Sequence, residues 1–242
     1  MPNWCDNSIR LHNEDVAKID ALEAEMSKKN DEGRSMACPF QHLRPNPDGE
    51  WDYGWSCTNW GTKWDADIID WDREDDNNIT IYCNTAWSPP IALFEYLTDE
   101  GWTVDAIYHE SGMCFAGIFR DGYDDYYEYD VTDQNSIEDL PQDIVEFAGL
   151  EDAHQEWKEN AINEYMEGLE RTEWYVGQLP ERDGRYEVTT DAWDFPQWCE
   201  YKDGKWQRWV GDEIKVTKWR GLAEEFTDEK YQEMIDNIAE SN

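Results

Sequence analysis

Polar and apolar residues alternate through residues 3–12, "NWCDNSIRLH", the period of a strand with one face turned inward. The period then changes. In "DVAKIDALEAEMSKK", residues 15–29, Val16, Ile19, Leu22, Ala24 and Met26 fall near helical spacing with charges between them. A stretch rich in proline and glycine follows, "CPFQHLRPNPDGEWDYGW", and is read as a loop. Around residues 64–71, Trp64, Ala66 and Ile68 alternate with Asp65, Asp67 and Ile69, which predicts a strand carrying Asp65 and Asp67 on one face. Residues 78–87 form a further predicted strand, ended by Pro89 and Pro90, which suit the start of the helix "IALFEYLTDEG" that stops at Gly101. Three strands in a meander come next, "WTVDAIYHES", "GMCFAGIFRDG" and "YDDYYEYDV", with turns at Ser111-Gly112 and Asp121-Gly122.

The resulting order is β-α-β-β-α-β with an extra strand or two. That is the ferredoxin-like split pattern, a four-stranded antiparallel sheet backed by two helices, and it places the chain in the α+β class. Residues 136–170 read as helical. Ala153, Trp157, Ala161, Tyr165 and Leu169 form one apolar stripe, and Asp152, Glu156, Glu159, Glu167 and Glu170 lie along another face. Residues 173–220 read as a small tryptophan-rich β-meander with turns at Asp183-Gly184 and Asp203-Gly204. Thr227 caps a last helix through Tyr231, Met234, Ile235 and Ile238. The expected domains are 1–133 (ferredoxin-like), 134–171 (an acidic helical connector) and 172–242 (the β module with its C-terminal helix).

Charge changes this picture more than any other bulk property. The formal net charge is -37, from 57 acidic and 20 basic residues. Such a charge repels nucleic acid and anionic lipid and favours cationic partners. It is also local. Residues 65–170 hold 29 acidic side chains and three basic ones (Arg73, Arg120 and Lys158), whereas residues 171–220 hold 10 acidic and 9 basic. A surface adapted to high salt would be acidic throughout, and the near-neutral segment fits that poorly. With 15 tryptophans, the chain has the material for a packed core despite its charge. No run approaches 18 apolar residues and no secretory pattern opens the chain, so a cytoplasmic protein without a membrane span is expected. The cysteines (Cys5, Cys38, Cys57, Cys83, Cys114 and Cys199) form no CxxC pair, and reduced, mostly buried thiols are expected.

Candidate chemistry follows from the acidic and aromatic clusters. The stretch "DADIIDWDREDD" (Asp65, Asp67, Asp70, Asp72, Glu74, Asp75 and Asp76) has neither the glycine nor the spacing of a calcium loop. No metal or other cofactor is expected. In "DGYDDYYEYD", Asp124, Asp125, Glu128 and Asp130 interleave with tyrosines, a mixture suited to capturing Arg and Lys by ion pairing and cation–π contact. His109, Glu110 and Ser111 adjoin in sequence, but neighbours on a strand point to opposite faces, and no catalytic motif is present. An enzyme is not expected, with a metal-dependent one the third-ranked reading.

Four stretches, "MPNWCDN", "WGTKWDA" at 60–66, "TAWSPPI" at 85–91 and "HESGMCFAG" at 109–117, resemble the YubB-like family with a ferredoxin-like domain, borne by phages and plasmids. The stretch "LPERDGRYEV" with "EYKDGKW" and "VTKWRGL" resembles a tryptophan-rich β module of phage accessory proteins. Together the resemblances imply a mobile-element origin, and they imply no reaction. The expected function is occupation of the basic nucleic-acid-binding surface of a host defence protein, such as a restriction enzyme or CRISPR nuclease, by mimicry of DNA charge. The alternative is a binding module for a peptide or small ligand, with Trp60, Trp64 and Trp87 lining the site.

Overall fold

A computed structural model describes residues 3–167, 171–193, 195–208 and 213–221. The helix expected from Thr227 onward lies outside these residues. The chain forms two compact units, 1–154 and 155–242.

The first unit begins with β1 (Trp4–His12) and α1 (Val16–Met26), followed by two short helices, α2 (Pro39–Leu43) and α3 (Tyr53–Asn59), in the stretch expected as loop. Then come β2 (Asp67–Arg73), β3 (Asn78–Ala86), α4 (Ile91–Asp99), β4 (Thr103–Glu110), β5 (Phe115–Arg120) and β6 (Tyr123–Glu128). The strands form one antiparallel sheet in the order β2-β3-β1-β4-β5-β6. Its first four positions are the ferredoxin-like arrangement, and the meander adds two strands beyond β4. The fold is thus α+β, as the periodicity implies.

Odd-numbered residues of β1 and β3 and even-numbered residues of β4 face α1 and α4. Ile9, Leu11, Ile79, Ile81, Val104 and Ala106 pack there against Ile19, Leu22, Leu93, Phe94 and Leu97. Each of these Val, Leu, Ile and Phe side chains stabilises the fold by about 1.5–3 kcal/mol through burial. Asp15 starts α1 by accepting the backbone N–H of Ala17, and Ile19, Leu22 and Met26 then fall on its buried face.

Among the described residues, the opposite sheet face is only half covered. After β6 come α5 (Gln134–Glu138), α6 (Gln142–Ala148) and the start of α7 (Leu150–Glu167). Ile137, Leu140, Ile144, Val145 and Leu150 pack there with Ala116, Ile107, Ile118 and Tyr127 of β4, β5 and β6. Residues 134–154 therefore belong to the first unit's core, although the sequence reads as a separate connector. On the other half of this face, Asp6, Arg10, Asp67, Asp70, Asp72 and Tyr82 are exposed.

The second unit contains β7 (Tyr175–Val176), β8 (Gly184–Thr189), β9 (Gln197–Lys202), β10 (Lys205–Gln207) and β11 (Lys218–Arg220). They form a second antiparallel sheet in the order β10-β9-β8-β11-β7. Val188, Cys199, Tyr201 and Trp206 make its core, with Tyr186 and Trp219 packed against them. Asp203 and Gly204 both have positive φ, 51° and 79°, the two-residue turn that matches strand twist in a hairpin. Among the described residues, no helix is long and apolar enough to cross a membrane.

Candidate partner-binding face and its tryptophan rim

The four motif stretches lie far apart in sequence, but the sheet brings them to one end. In an antiparallel sheet the start of β1 lies beside the end of β3 and the end of β4, and so beside the start of β5. Trp4 pairs with Ala86, Asp6 with His109, and Glu110 with Phe115. The loop before β2 closes onto the same end. Thr62 Oγ1 donates to Ala86 O at 2.9 Å, Ser88 Oγ to Gly61 O at 2.7 Å, and Thr85 Oγ1 to Ser88 O at 2.8 Å. Gly61 has φ +90°, and a Cβ there would stand 3.1 Å from Ile91 N, so the loop requires glycine. These contacts form a turn over residues 61–65, and β2 starts at Asp67, later than alternation alone predicts.

The locked loop presents aromatic rings. Trp60 is buried, with its Nε1 donating to Arg44 O at 3.0 Å, and it packs edge-on against Phe40 and Trp55. It is part of the core. Trp64 lies 6.3 Å from Trp4 between ring centroids. The Lys63 ammonium sits 4.3 Å from the Trp64 ring centroid and 4.9 Å from that of Trp87. Trp51 Nε1 donates to Lys63 O at 2.9 Å. Trp4, Trp51 and Trp87 remain 40%, 57% and 46% exposed. Trp87 also has φ +69°, a left-handed conformation that a bulky residue adopts at a cost of about 1–2 kcal/mol. Its N–H donates to Asn3 O at 2.9 Å, which helps hold it there.

From this rim the uncovered sheet face runs as three registered rows. Asp67, Asn84 and Asp6 form the first, Asp70, Tyr82 and Ser8 the second, and Asp72, Thr80 and Arg10 the third. The three β2 aspartates share this face because of a β-bulge. Ile68 pairs with Cys83 and Asp70 with the next residue, Tyr82, leaving Ile69 as an extra residue that resets the alternation. Arg10 is paired with Glu74, Nε to Oε2 at 3.0 Å, which draws Glu74 out of the free acidic set and lowers its pKa. Among the described residues no ion pair engages Asp6, Asp67, Asp70 or Asp72. Asn84 Oδ1, between Asp6 and Asp67, is buried and has no donor among the described residues.

The other acidic positions are dispersed. Asp65 turns inward and accepts the backbone N–H groups of Phe40, Gln41 and Ala66 at 3.0, 2.8 and 2.8 Å. Burial raises its pKa to about 6 against the lowering effect of those bonds. Asp75 closes the turn before β3 by accepting from Asn77 N and Asn78 Nδ2, and Asp76 is exposed beside it. Asp124 accepts from Tyr108 Oη at 2.8 Å, with burial raising its pKa. Asp124 and Glu128 face the α1/α4 side, whereas Asp125 faces the other, at the edge opposite β2. Asp130 accepts from Thr132 N at 2.8 Å. Asp152, Glu156 and Glu159 lie on α7, with Glu159 accepting from Gln155. The side chain of Glu167 and all of Glu170 lie outside the described residues. The acidic stretches of the first unit therefore do not merge into one band.

Other chemistry at this end is structural. His109 is buried on the covered face with Nε2 2.6 Å from Tyr129 Oη, and burial lowers its pKa. Glu110 points the opposite way and accepts from Gly112 N and Met113 N at 2.8 and 2.7 Å, widening the β4–β5 turn so that β5 starts at Phe115. Burial raises the pKa of Cys5 to about 12 and that of Cys83 further, which makes both poor nucleophiles. Among the described residues no group of three or more His, Cys, Asp or Glu side chains is arranged to hold a metal ion.

Compared with protein-family models, curated proteins and solved structures, the chain matches none. Trp4, Asp6, Lys63, Tyr82 and Asn84 join the face without having been singled out in the sequence, although Trp4 and Asp6 belong to the polar phase of the β1 alternation.

Proposed function

We propose that the protein is a non-catalytic binder of a positively charged protein surface, engaged through the uncovered half of the first unit's sheet. The carrying observation is that Asp6, Asp67, Asp70 and Asp72 share this face and that, among the described residues, none is paired with a cation. Adjacent strands lie about 4.8 Å apart and alternate residues along a strand about 6.7 Å, so the four carboxylates form a two-dimensional anionic lattice. A nucleic-acid-binding protein offers the matching surface, and occupation of that surface would exclude the nucleic acid by charge competition. An inhibitor of a host defence nuclease is the specific form of this reading that the motif resemblances favour.

The test uses the full chain against purified nucleic-acid-binding proteins, with displacement of DNA as the readout. Changing Asp6, Asp67, Asp70 and Asp72 together to Asn is expected to weaken binding by about tenfold or more, or roughly 1.4 kcal/mol. Changing Asp31, Glu100, Asp139 and Glu151 to their amides removes the same charge elsewhere and is expected to do much less. Equal effects would reduce the reading to bulk charge. Binding unchanged between about 50 and 500 mM salt would remove it, since screening must weaken such contacts.

A further inference from the structure

We infer that the tryptophan rim beside Asp6 and Asp67 is a socket for an arginine side chain of the partner, with Lys63 as its resident placeholder. The inference rests on the binding reading above and names the chemistry at one end of that face. Three observations carry it. First, the Lys63 ammonium already sits within 5 Å of two indole centroids, at 4.3 and 4.9 Å, so the rings are spaced for a cation. In a chain with 57 acidic residues, Lys63 is held by rings, with no carboxylate in ion-pair reach among the described residues. Second, Trp4 and Asp6 are alternate residues on one face of β1, which puts the aromatic rim about 6.7 Å from the first carboxylate row. Third, that row has Asp67, Asn84 and Asp6 side by side, three acceptor-bearing residues across roughly 9.6 Å.

A guanidinium answers all three. It stacks flat on indole, carries a fixed positive charge, and offers five N–H donors in a rigid fork. An ammonium offers one compact charge and cannot both stack and span a row of acceptors. The rim is also pre-formed. Hydrogen bonds from Thr62 and Ser88 lock its loop, and Trp87 is held exposed in a left-handed conformation where glycine would be less strained. Exposed, rigid tryptophans are the usual anchors of protein interfaces.

The experiment titrates the full-length protein with two peptides of equal charge, four Gly-Arg repeats and four Gly-Lys repeats, following tryptophan fluorescence and binding heat. The arginine peptide is expected to bind about fivefold more tightly. Trp87→Gly should erase that preference while leaving the melting temperature unchanged or higher, because it relieves the backbone. Lys63→Met should tighten the arginine peptide several-fold by vacating the socket. If both peptides bind alike and neither variant changes the ratio, the socket is wrong while the anionic face stands. If neither peptide binds, both readings fall.

Discussion

Asp65 Oδ1 accepts the backbone N–H of Phe40 at 3.0 Å, joining the loop before β2 to the first turn of α2 across 25 residues of sequence. A carboxylate from the acidic stretch thus serves as a helix cap. Asp65→Ala is expected to cost about 1–2 kcal/mol, the range for a lost cap, measured by denaturant unfolding. The pH dependence has a definite sign. Burial raises the folded-state pKa of Asp65 to about 6, above the ordinary value of 3.8. Its contribution is therefore fully present below that ordinary value and is lost as pH rises through about 6. The stability difference between the wild type and Asp65→Asn should shrink across that window. A difference that grows with pH would overturn the assignment.

Gly117 on β5 faces Tyr108 so closely that an added Cβ would stand 2.2 Å from the phenol oxygen. Gly117→Ala must push Tyr108 off its hydrogen bond to Asp124, and a loss of about 2–3 kcal/mol is expected from overpacking alone. Tyr108→Phe, which keeps the ring, should cost about 1 kcal/mol. Thermal unfolding of the two variants orders them.

Thiol accessibility offers a test of the first unit's packing. Burial raises the pKa of all three thiols, but Cys38 is exposed whereas Cys5 and Cys83 are buried. Alkylation of the native protein, followed by mass spectrometry, should label Cys38 well before Cys5 or Cys83. Labelling of the two buried thiols should appear only with denaturant. Early labelling of Cys83 would mean that the sheet does not hold it as described.

The bulge at Ile69 can be tested by deletion. Without that residue Asp67, Ile68, Asp70, Trp71 and Asp72 alternate plainly opposite the same β3 partners, so Asp70 and Asp72 keep the exposed face and Trp71 the core face. Deleting Ile69 should therefore preserve the fold and the aspartate face, read as a small change in thermal stability, and a loss of several kcal/mol would mean that the bulge itself is required. Ile69→Thr, which keeps the count, should be nearly neutral at this exposed position.

Much of the first unit is legible along the chain because its strands and helices carry their own periods. Residues 4–12, 78–86 and 103–110 alternate cleanly, and each becomes a strand. What local pattern misses depends on distant partners. Alternation through Trp64 and Ala66 continues the β2 period, but hydrogen bonds to Ala86 and from Ser88 bend those residues into a turn. Asp65 looks like any other member of the acidic run until Phe40 and Gln41 are placed against it. The bulge did leave a local mark, since the doublet Ile68-Ile69 breaks the alternation and restarts it in the other phase. The binding face was the least legible part. It is assembled by strand register, and Asp6 and Asp67 become neighbours only through Asn84 between them.

β2 is the outermost strand of its sheet, and its aspartates recur on one face around a bulge. Any chain that tried to extend the sheet by pairing with β2 would have to follow the kink at Ile69. A second copy docking there would also bring its own aspartates close to Asp67, Asp70 and Asp72. Both features oppose the edge-to-edge growth through which open sheets aggregate. The charge that would attract a basic partner would thus also hold identical molecules apart at high concentration, at an edge that no helix covers among the described residues.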